Sequence, residues 1–461
     1  MGHFTHTDRI DALPKGGGPM KRWFWLLGCC LLLGLASGCA PIQTSVADLL
    51  DAPRLTERQG QVLEALRDEV GQDIKLKYPK SGEYRSAFTF YDIDGDGSEE
   101  AIVLYSVRDG GRQVSRVVVL DDQSGRWQAV GPHIPGLGTD IDFIRFEKMR
   151  SSGPDSMIVG WIPEGSERSV AIYSYGEEGF SLEYAEAYSR IGIGDFNQDG
   201  LHELLLFCAP DTGAMPYVIL TGEDPDGYLD TLDLIQLDDR VLSFLEPVCG
   251  VVSADGLRGA ALDVLIRPGT MATAIVQVVG SQLRSPTLDQ DSVLFFESYR
   301  TTGVRSGDIN GDGIIEIPLQ ADPGGQDQLE EAARVYYTDY VQLQGQVWRP
   351  VTRAYVNVEQ GYRVILPPQW QGESGVRVRR LQENSEVVFF LPQEEEQPDI
   401  ELLRIRVGDS QGYPDKLETK HYFVIQQRGA FQYYVWLPEE DTGDAPVITR
   451  EQLEGLFSLL S

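Results

Sequence analysis

Short apolar runs alternate with turns rich in Asp and Gly between about residues 86 and 350. Examples of the runs are residues 101–105, 204–207 and 262–266. Apolar runs of four to eight residues with turn residues on both sides are typical of β-strands. Few stretches here have the period of a helix, so the pattern predicts a mainly β region.

A helical pattern precedes this region, at residues 55–71. Thr56 and Gln59 have the spacing of a capping box, and Gly71 stands where the helix should end. One side of the predicted helix is apolar and consists of Val62, Leu63, Leu66 and Val70. A single apolar stripe must be buried against something, and we expect the domain that follows to cover it. A partner-binding helix is the alternative.

Three copies of the pattern D-x-[DN]-x-D-G-x-x-E lie between predicted strands, at residues 92–100, 195–203 and 308–316. Oxygen side chains at positions 1, 3 and 5 can converge on one hard cation, and the Gly at position 6 permits a sharp turn. The acid at position 9 adds a further carboxylate, and the backbone carbonyl at position 7 adds one more oxygen. The candidate ligands are therefore Asp92, Asp94, Asp96, Ser98 and Glu100; Asp195, Asn197, Asp199, Leu201 and Glu203; and Asp308, Asn310, Asp312, Ile314 and Glu316.

The EF-hand shares the first half of this pattern but requires a Glu at position 12 and flanking helices. Position 12 is Val103, Leu206 and Leu319 in the three copies, and a strand-like run follows each copy. An EF-hand is therefore excluded. The other alternative is three Asp/Gly turns that bind no ion.

A metal loop between two strands resembles the FG-GAP/VCBS repeats of calcium-binding β-propellers. The resemblance implies a β-propeller of short antiparallel blades that holds about three structural Ca²⁺ ions. The acidic loops recur at roughly twice the length of a propeller blade of ~40–50 residues. We therefore expect a repeat without metal in each gap, at residues 148–153 and 251–256. Five repeats are counted between residues 72 and 350, and up to seven blades are possible.

A different pattern begins after residue 350. Strand-like runs continue to about residue 437, and residues 449–460 form a predicted helix with Thr449 and Gln452 as its capping box. Residues 351–461 are thus expected to form a small α+β domain. Its opening, GY-x-V-x-L-P-x-x-W at residues 361–370, resembles PsbP/Mog1-like domains.

The amino-terminal pattern is that of an export signal. Lys21 and Arg22 precede an apolar segment at residues 23–35, and small residues lead to Cys39. This resembles the lipobox of bacterial lipoproteins, although Ala36 stands where Leu is usual. The resemblance implies a signal peptide at residues 20–38, lipidation of Cys39 and a tether at residues 39–54. Residues 1–19 fit no signal peptide, so we expect translation to start at Met20. An uncleaved transmembrane helix is the alternative, but the apolar run is shorter than the ~20 residues of a span.

The charge balance limits the partners. The chain has 461 residues, 39 Lys plus Arg and 71 Asp plus Glu, for a net charge of −32. Nucleic acids and anionic membranes attract basic surfaces, so neither is expected as the partner; membrane attachment is expected through Cys39 alone. Of the five Cys, Cys208 and Cys249 lie after the first 39 residues. They could pair in an oxidising compartment, but both lie in apolar strand-like runs, so we expect two buried thiols.

No catalytic constellation stands out. Gly408 to Gly412 fits G-x-S-x-G, but turn residues follow it where a nucleophile elbow would enter a helix. His residues with the spacing of a zinc site are not found. We therefore expect an extracytoplasmic, lipid-anchored binding or scaffold protein for a surface protein or glycan. The alternatives are a propeller enzyme that acts on extracellular polysaccharide or peptide, and a structural envelope component.

Overall fold

The computed structural model describes most of the chain after residue 54. The described residues are 55–165, 167–176, 178–209, 215–288, 292–326, 330, 334–371, 375–381, 386–394, 397–409, 421–438 and 445–460. The predicted signal peptide and tether, with Cys39, and also Ser410 lie outside them. Two compact units divide the chain, Met1–Gly60 and Gln61–Ser461. In the described ranges, no helix combines the length and apolarity that a membrane span requires.

The fold is mainly β, as the alternating pattern predicts. Most strands follow one another in antiparallel meanders, because short Gly-containing turns connect neighbouring strands. Helix α1 spans Glu57–Val70 and begins with the Thr56/Gln59 capping box. Sheet 1 follows it, with β1 (Ile74–Leu76), β2 (Phe88–Tyr91), β3 (Glu100–Asp109), β4 (Arg112–Asp122) and β5 (Trp127–Pro135).

Sheets 2 and 3 are meanders of four strands each, in chain order. Sheet 2 contains β6 (Asp140–Glu147), β7 (Ser156–Ile162), β8 (Arg168–Gly176) and β9 (Gly179–Tyr188). Sheet 3 contains β10 (Arg190–Gly194), β11 (Glu203–Cys208), β12 (Tyr217–Glu223) and β13 (Leu229–Gln236).

Sheet 4 is built around a long central hairpin, β16–β17, with short strands on both sides. Its strands are β14 (Ser243–Phe244), β15 (Val248–Val251), β16 (Arg258–Arg267), β17 (Thr270–Val279), β18 (Gln282–Arg284) and β19 (Arg300–Thr301). A single helical turn, α2 (Leu294–Glu297), precedes β19.

Sheets 5 and 6 contain the rest of the described strands. Sheet 5 has the order β20 (Ile317–Ala321), β21 (Tyr337–Gln344), β22 (Val347–Asn357), β23 (Tyr362–Ile365) and β29 (Phe457–Leu459). Sheet 6 has the order β24 (Arg377–Leu381), β25 (Glu386–Leu391), β26 (Ile400–Asp409), β28 (Phe431–Trp436) and β27 (Phe423–Arg428). A 3-10 turn at Pro368–Trp370 lies between the two sheets in sequence.

Consecutive sheets pack face to face, and β11 shows how the sequence achieves this. All six of its residues are buried. Leu204, Leu206 and Cys208 pack in one apolar cluster with side chains of sheet 2, whereas Leu205 and Phe207 pack in another with side chains of sheet 4. Because successive side chains of a strand point to opposite faces, a strand between two sheets must be apolar throughout. This succession of antiparallel meanders is β-propeller-like.

Helix α1 covers the face of sheet 1 that sheet 2 does not. Val62, Leu63 and Leu66 are buried in one cluster with Tyr105 and Trp127 of sheet 1. The apolar stripe of the helix therefore packs on the protein's own first sheet. Among the described residues, no apolar cluster joins sheet 1 to sheet 5 or sheet 6.

The carboxyl-terminal region differs from the sequence expectation in two details. The helix there, α3, ends at Leu456 rather than near residue 460 (Arg450–Leu456), because Phe457–Leu459 pairs with β23 as strand β29. Strand β22 also runs from Val347 to Asn357, so the sheet does not divide at residue 350. The α+β domain at 351–461 stays a prediction.

Cys208 and Cys249 do not form a disulfide. The Cys208 side chain is buried as expected, but the expectation is wrong for Cys249, whose side chain is exposed. The reason is that β15 is a short edge strand, and none of its four residues is buried.

Candidate metal centres

Each acidic motif forms a hairpin loop with the same register. We name the loops after their sheets: loop 1 (residues 92–100), loop 3 (195–203) and loop 5 (308–316). The residue before each loop pairs with the Glu at position 9. The pairs are Tyr91 with Glu100, Gly194 with Glu203, and Gly307 with Glu316. Three distant segments therefore fold into the same local structure.

Left-handed backbone at positions 4 and 6 produces the turn. Position 6 is Gly97, Gly200 or Gly313, with φ of 94°, 91° and 85°. Glycine is the residue that adopts such angles without a steric cost. Position 4 of loop 3 is Gln198, which has φ of 65° where the other two loops have Gly.

Hydrogen bonds from the loop backbone fix the side chains at positions 1, 3 and 5. In loop 1, Asp92 Oδ2 accepts the N–H of Gly97 at 3.1 Å, and Asp94 Oδ1 accepts the N–H of Asp96 at 3.0 Å. Asp96 Oδ1 accepts the N–H of Ser98 at 2.7 Å. Loops 3 and 5 repeat all three bonds. The polar side chains are thus oriented by the loop itself.

Carboxylate oxygens converge in all three loops. In each loop, three carboxylates place oxygen atoms within 4.8 Å of one another: Asp92, Asp94 and Asp96; Asp195, Asp199 and Glu203; and Asp308, Asp312 and Glu316. Position 9 thus joins the group in loops 3 and 5, and position 3 joins it in loop 1. All-oxygen donor sets of this kind suit hard cations such as Ca²⁺.

One buried oxygen in loop 3 has no partner. Asp195 Oδ1 is shielded from solvent and accepts no hydrogen bond within the described protein. In loops 1 and 5 the corresponding oxygen accepts the N–H of the position-4 Gly. A buried carboxylate oxygen without a partner is costly. A bound cation would satisfy it, so the residues of loop 3 fit a metal site.

The Glu at position 9 has a structural role that the sequence interpretation missed. Its Oε2 atom accepts the backbone N–H of position 2 in each loop, and its side chain is buried. The three bonds are Glu100 to Ile93 at 2.8 Å, Glu203 to Phe196 at 2.8 Å and Glu316 to Ile309 at 2.6 Å. A signal was present in the sequence, since position 2 is apolar in every copy. The backbone N–H of this apolar residue is the one that donates to the buried Glu.

Burial and neighbouring acids perturb these Glu side chains. Burial, with the nearby Asp199 and Asp195 adding to it, raises the pKa of Glu203 to about 7. The pKa values of Glu100 and Glu316 are also raised, chiefly by burial. A cation would stabilise the ionised form of each group, so the electrostatics of the loops favour a bound ion.

A residue outside the motif also reaches loop 5. The Nε2 atom of Gln342, on strand β21, donates to Asp312 Oδ2 at 2.8 Å and to Glu316 Oε1 at 2.7 Å. The amide therefore holds two carboxylates of one loop together. No sequence pattern pointed to Gln342, because the contact depends on strand pairing.

Neighbouring sheets contact the acidic loops directly. The backbone N–H of His202 in loop 3 donates to the backbone carbonyl of Lys148, which follows strand β6 of sheet 2, at 2.8 Å. Arg258 of sheet 4 donates to the backbone carbonyl of Asp195 at 3.2 Å. In loop 5, the N–H of Ile315 donates to the carbonyl of Val251 in sheet 4 at 2.9 Å. The loops therefore form part of the packing between sheets.

The corresponding loop of sheet 2 has the same length without the acids. Glu147 pairs with Ser156, so the register matches that of the acidic loops, and Gly153 has φ of 86° at position 6. Lys148, Arg150 and Ser152 occupy positions 1, 3 and 5. Arg150 donates to the carbonyl of Gly227 in sheet 3. A cationic side chain at position 3 is incompatible with a metal ligand there.

The corresponding loop of sheet 4 is shorter. Val251 pairs with Arg258, which leaves residues 252–257 between them. Asp255, its remaining acid, accepts the N–H of Gly345 through Oδ2 at 3.2 Å. This loop therefore lacks both the length and the ligands of the others.

Comparisons with known proteins add little to this geometry. No family model matches the chain, and no curated protein matches it. Among solved structures, the periplasmic gluconolactonase of Pseudomonas aeruginosa aligns over 72% of this chain and 94% of its own, with 14% identity and a TM-score of 0.27. A likeness this low supports no argument about function.

Proposed function

We propose that this protein is a lipid-anchored, extracytoplasmic binding or scaffold protein whose β-propeller-like fold is stabilised by three Ca²⁺ ions. Sheets 1 to 4 and strands β20 to β22 of sheet 5 would serve as its blades, and residues 351–461 would form a small α+β domain that shares sheet 5 with the last blade. The lipid on Cys39 would attach it to the outer face of a bacterial membrane. In this proposal the acidic loops hold ions that stabilise the fold, and the protein binds a partner without catalysing a reaction.

The recurrence of one loop conformation at one register carries the proposal. Loops 1, 3 and 5 share their hairpin register, their backbone hydrogen bonds and their buried Glu. Loop 3 adds the unpaired buried oxygen of Asp195. Acidic surface turns without an ion would not need three carboxylates to converge at one point.

The ion would act by neutralising charge. In each loop, the side chains at positions 1, 3, 5 and 9 and the carbonyl at position 7 would hold it. Ca²⁺ supplies positive charge to clustered carboxylates that otherwise repel one another. Since neighbouring sheets bond to loops 3 and 5, fixing these loops would also stabilise the packing between sheets.

A calorimetric titration of the EDTA-treated protein with Ca²⁺ tests this proposal. About three ions per chain and a higher melting temperature are expected. For sites with Kd near 10⁻⁴ to 10⁻³ M, millimolar Ca²⁺ should add about 1 kcal/mol per site. If Ca²⁺ gives no heat of binding and leaves the melting temperature unchanged, the proposal that the loops bind Ca²⁺ is refuted. As a control, Lys148→Ala in the loop without acids should leave the number of bound ions unchanged.

A further inference from the structure

A cleft of about 560 Å³ is lined by residues of sheets 4, 5 and 6. Gly269 lines it from the β16–β17 turn, and Gln320 lines it from the end of β20. Residues 252–257 precede β16 and loop 5 precedes β20, so these lining residues lie at the opposite ends of both strands. The cleft is therefore separate from the acidic loops.

The lining of the cleft is cationic in an acidic protein. Four arginines contribute to it, and Glu359 is the one acidic residue among the described lining residues. The arginines are Arg267, Arg300, Arg334 and Arg380. The chain as a whole carries a net charge of −32. A local excess of positive charge in this background favours an anionic ligand.

The arginines have different roles in the wall. Arg300 is buried and fixed, because its guanidinium donates to Asp263 Oδ1 at 2.6 Å and to the carbonyls of Ser298 and Val304. It forms a rigid part of the cleft whose charge Asp263 neutralises.

Arg267 and Arg380 are more accessible. Arg267 is exposed and donates from Nε to Thr270 Oγ1 at 2.9 Å. It forms no ion pair with any residue that the structure describes. Arg380 contacts Glu359 at 2.5 Å, but the carboxylate of Glu359 is 71% exposed. Arg267 thus offers an uncompensated guanidinium, and Arg380 a second one whose partner is held only at the surface.

The remaining lining combines hydroxyl and amide groups with apolar side chains such as Val304, Leu319 and Val358. Thr270, Thr301, Gln320 and Asn357 contribute to it, and Tyr336 adds an aromatic ring. The volume lies in the ordinary range of small-molecule sites, but such sites are usually lined by apolar residues. The arginines and the hydroxyl and amide groups of this lining suit an anionic ligand with many hydroxyl groups.

We propose that this cleft binds an acidic saccharide, with its carboxylate at Arg267 and its hydroxyl groups at the Thr and Gln side chains. Guanidinium groups pair with carboxylates through two parallel hydrogen bonds. The inference names a ligand class for the proposed binding role and rests on that role, but it does not depend on the ions. A surface glycan that contains uronic acid has this chemistry.

Cellobiuronic acid and cellobiose are suitable probes, because both are disaccharides of the same size and only the first has a carboxylate. Titration calorimetry on the full chain with Ca²⁺ should detect the acid and give at least tenfold weaker binding, or none, for cellobiose. Arg267→Gln should weaken binding of the acid about tenfold or more. The matched control is Arg284→Gln, which changes an exposed arginine of sheet 4 outside the cleft lining and should leave the affinity unchanged.

Three results would overturn the inference: no binding of the acid at millimolar concentration, equal affinity in Arg267→Gln, or displacement by inorganic phosphate at similar affinity. The last result would identify a simple anion site. Melting curves with and without EDTA on the same samples separate the two proposals. If melting depends on calcium but no saccharide binds, only the saccharide proposal is refuted. If the saccharide binds and EDTA does not change the melting curve, only the calcium proposal is refuted.

Discussion

Glu203 joins the two ends of loop 3 through Phe196, because its Oε2 atom accepts the backbone N–H of Phe196 at 2.8 Å. The same carboxylate lies within 4.8 Å of the Asp195 and Asp199 oxygens. One side chain thus connects the buried base of the loop to the convergent acids. Binding of an ion and folding of the hairpin should therefore be coupled.

We expect Glu203 to make the metal-free protein less stable as pH rises. Its pKa is raised from 4.5 to about 7. A raised pKa means that its contribution to stability is fully present below pH 4.5 and is lost as pH rises through about 7. In EDTA, the stability difference between Glu203→Gln and the wild type should shift in favour of the variant by up to about 3 kcal/mol between pH 5 and pH 8.

Denaturant unfolding of both proteins in EDTA at several pH values measures this shift. Gln retains an oxygen for the Phe196 N–H, so the hydrogen bond itself is controlled. Saturating Ca²⁺ should remove the loss of stability that the wild type shows as pH rises. It should stabilise the variant less than the wild type. A constant difference across this pH range would contradict the assignment.

Gly222→Ala should disturb loop 3 without touching its sequence. A Cβ at residue 222 would lie 3.1 Å from Glu203 Cγ and 3.0 Å from Leu232 Cδ1. Such crowding costs about 1–3 kcal/mol and should weaken binding of one ion. Gly194→Ala is the matched control, since its Cβ would meet the Phe196 ring at 3.5 Å, an ordinary contact. Equal melting temperatures for the two variants would exclude the crowding.

Alanine at position 3 of an acidic loop should lower the stability of the protein in Ca²⁺. Asp94→Ala and Asn310→Ala remove one proposed ligand each, and each should reduce the number of bound ions by one. Melting in millimolar Ca²⁺ and in EDTA gives the effect, which should be larger with Ca²⁺. If both variants melt like the wild type in Ca²⁺, these residues are not ligands.

Asp263→Ala should be more destabilising than any change in the loops. Asp263 is buried and accepts from Arg300, Arg305, Thr273 and Ser306. Its loss leaves the Arg300 guanidinium buried and unpaired, at a cost of about 3–5 kcal/mol. Asp339→Ala is the comparison, because Asp339 and its partner Arg353 are partly exposed and should cost about 1 kcal/mol or less. Chemical denaturation ranks the two, and the reverse order would contradict this reading.

Cys39→Ser should release the protein from the membrane. Lipidation needs the thiol, and several acyl chains are what make anchoring stable. In a bacterial host, metabolic labelling with a fatty acid should mark the wild type and not the variant, and fractionation should find the variant in soluble fractions. A labelled variant would show that the lipid is attached elsewhere.

The sequence predicted the local structures that depend on neighbouring residues. The capping box of α1, the strands around loops 1, 3 and 5 and the turn at Gly153 follow from residue type and spacing. Loop 3 is an example: carboxylates at positions 1 and 5 and glycine at position 6 favour the turn, because the hydrogen bonds that shape it lie within nine residues. The same pattern placed the candidate ligands.

The tertiary structure decided what depends on residues far apart in the chain. Pairing of Phe457–Leu459 with β23 turned the end of a predicted helix into a strand, because the sheet edge overrides a local helix preference. Gln342 reaches loop 5 only because β20 and β21 pair. The arginine cleft combines side chains from three sheets, and no spacing in the sequence could show that they line one cavity. Local hydrogen bonding can be inferred from a sequence pattern, whereas the pairing of distant strand edges and the clefts between sheets depend on how the whole chain packs.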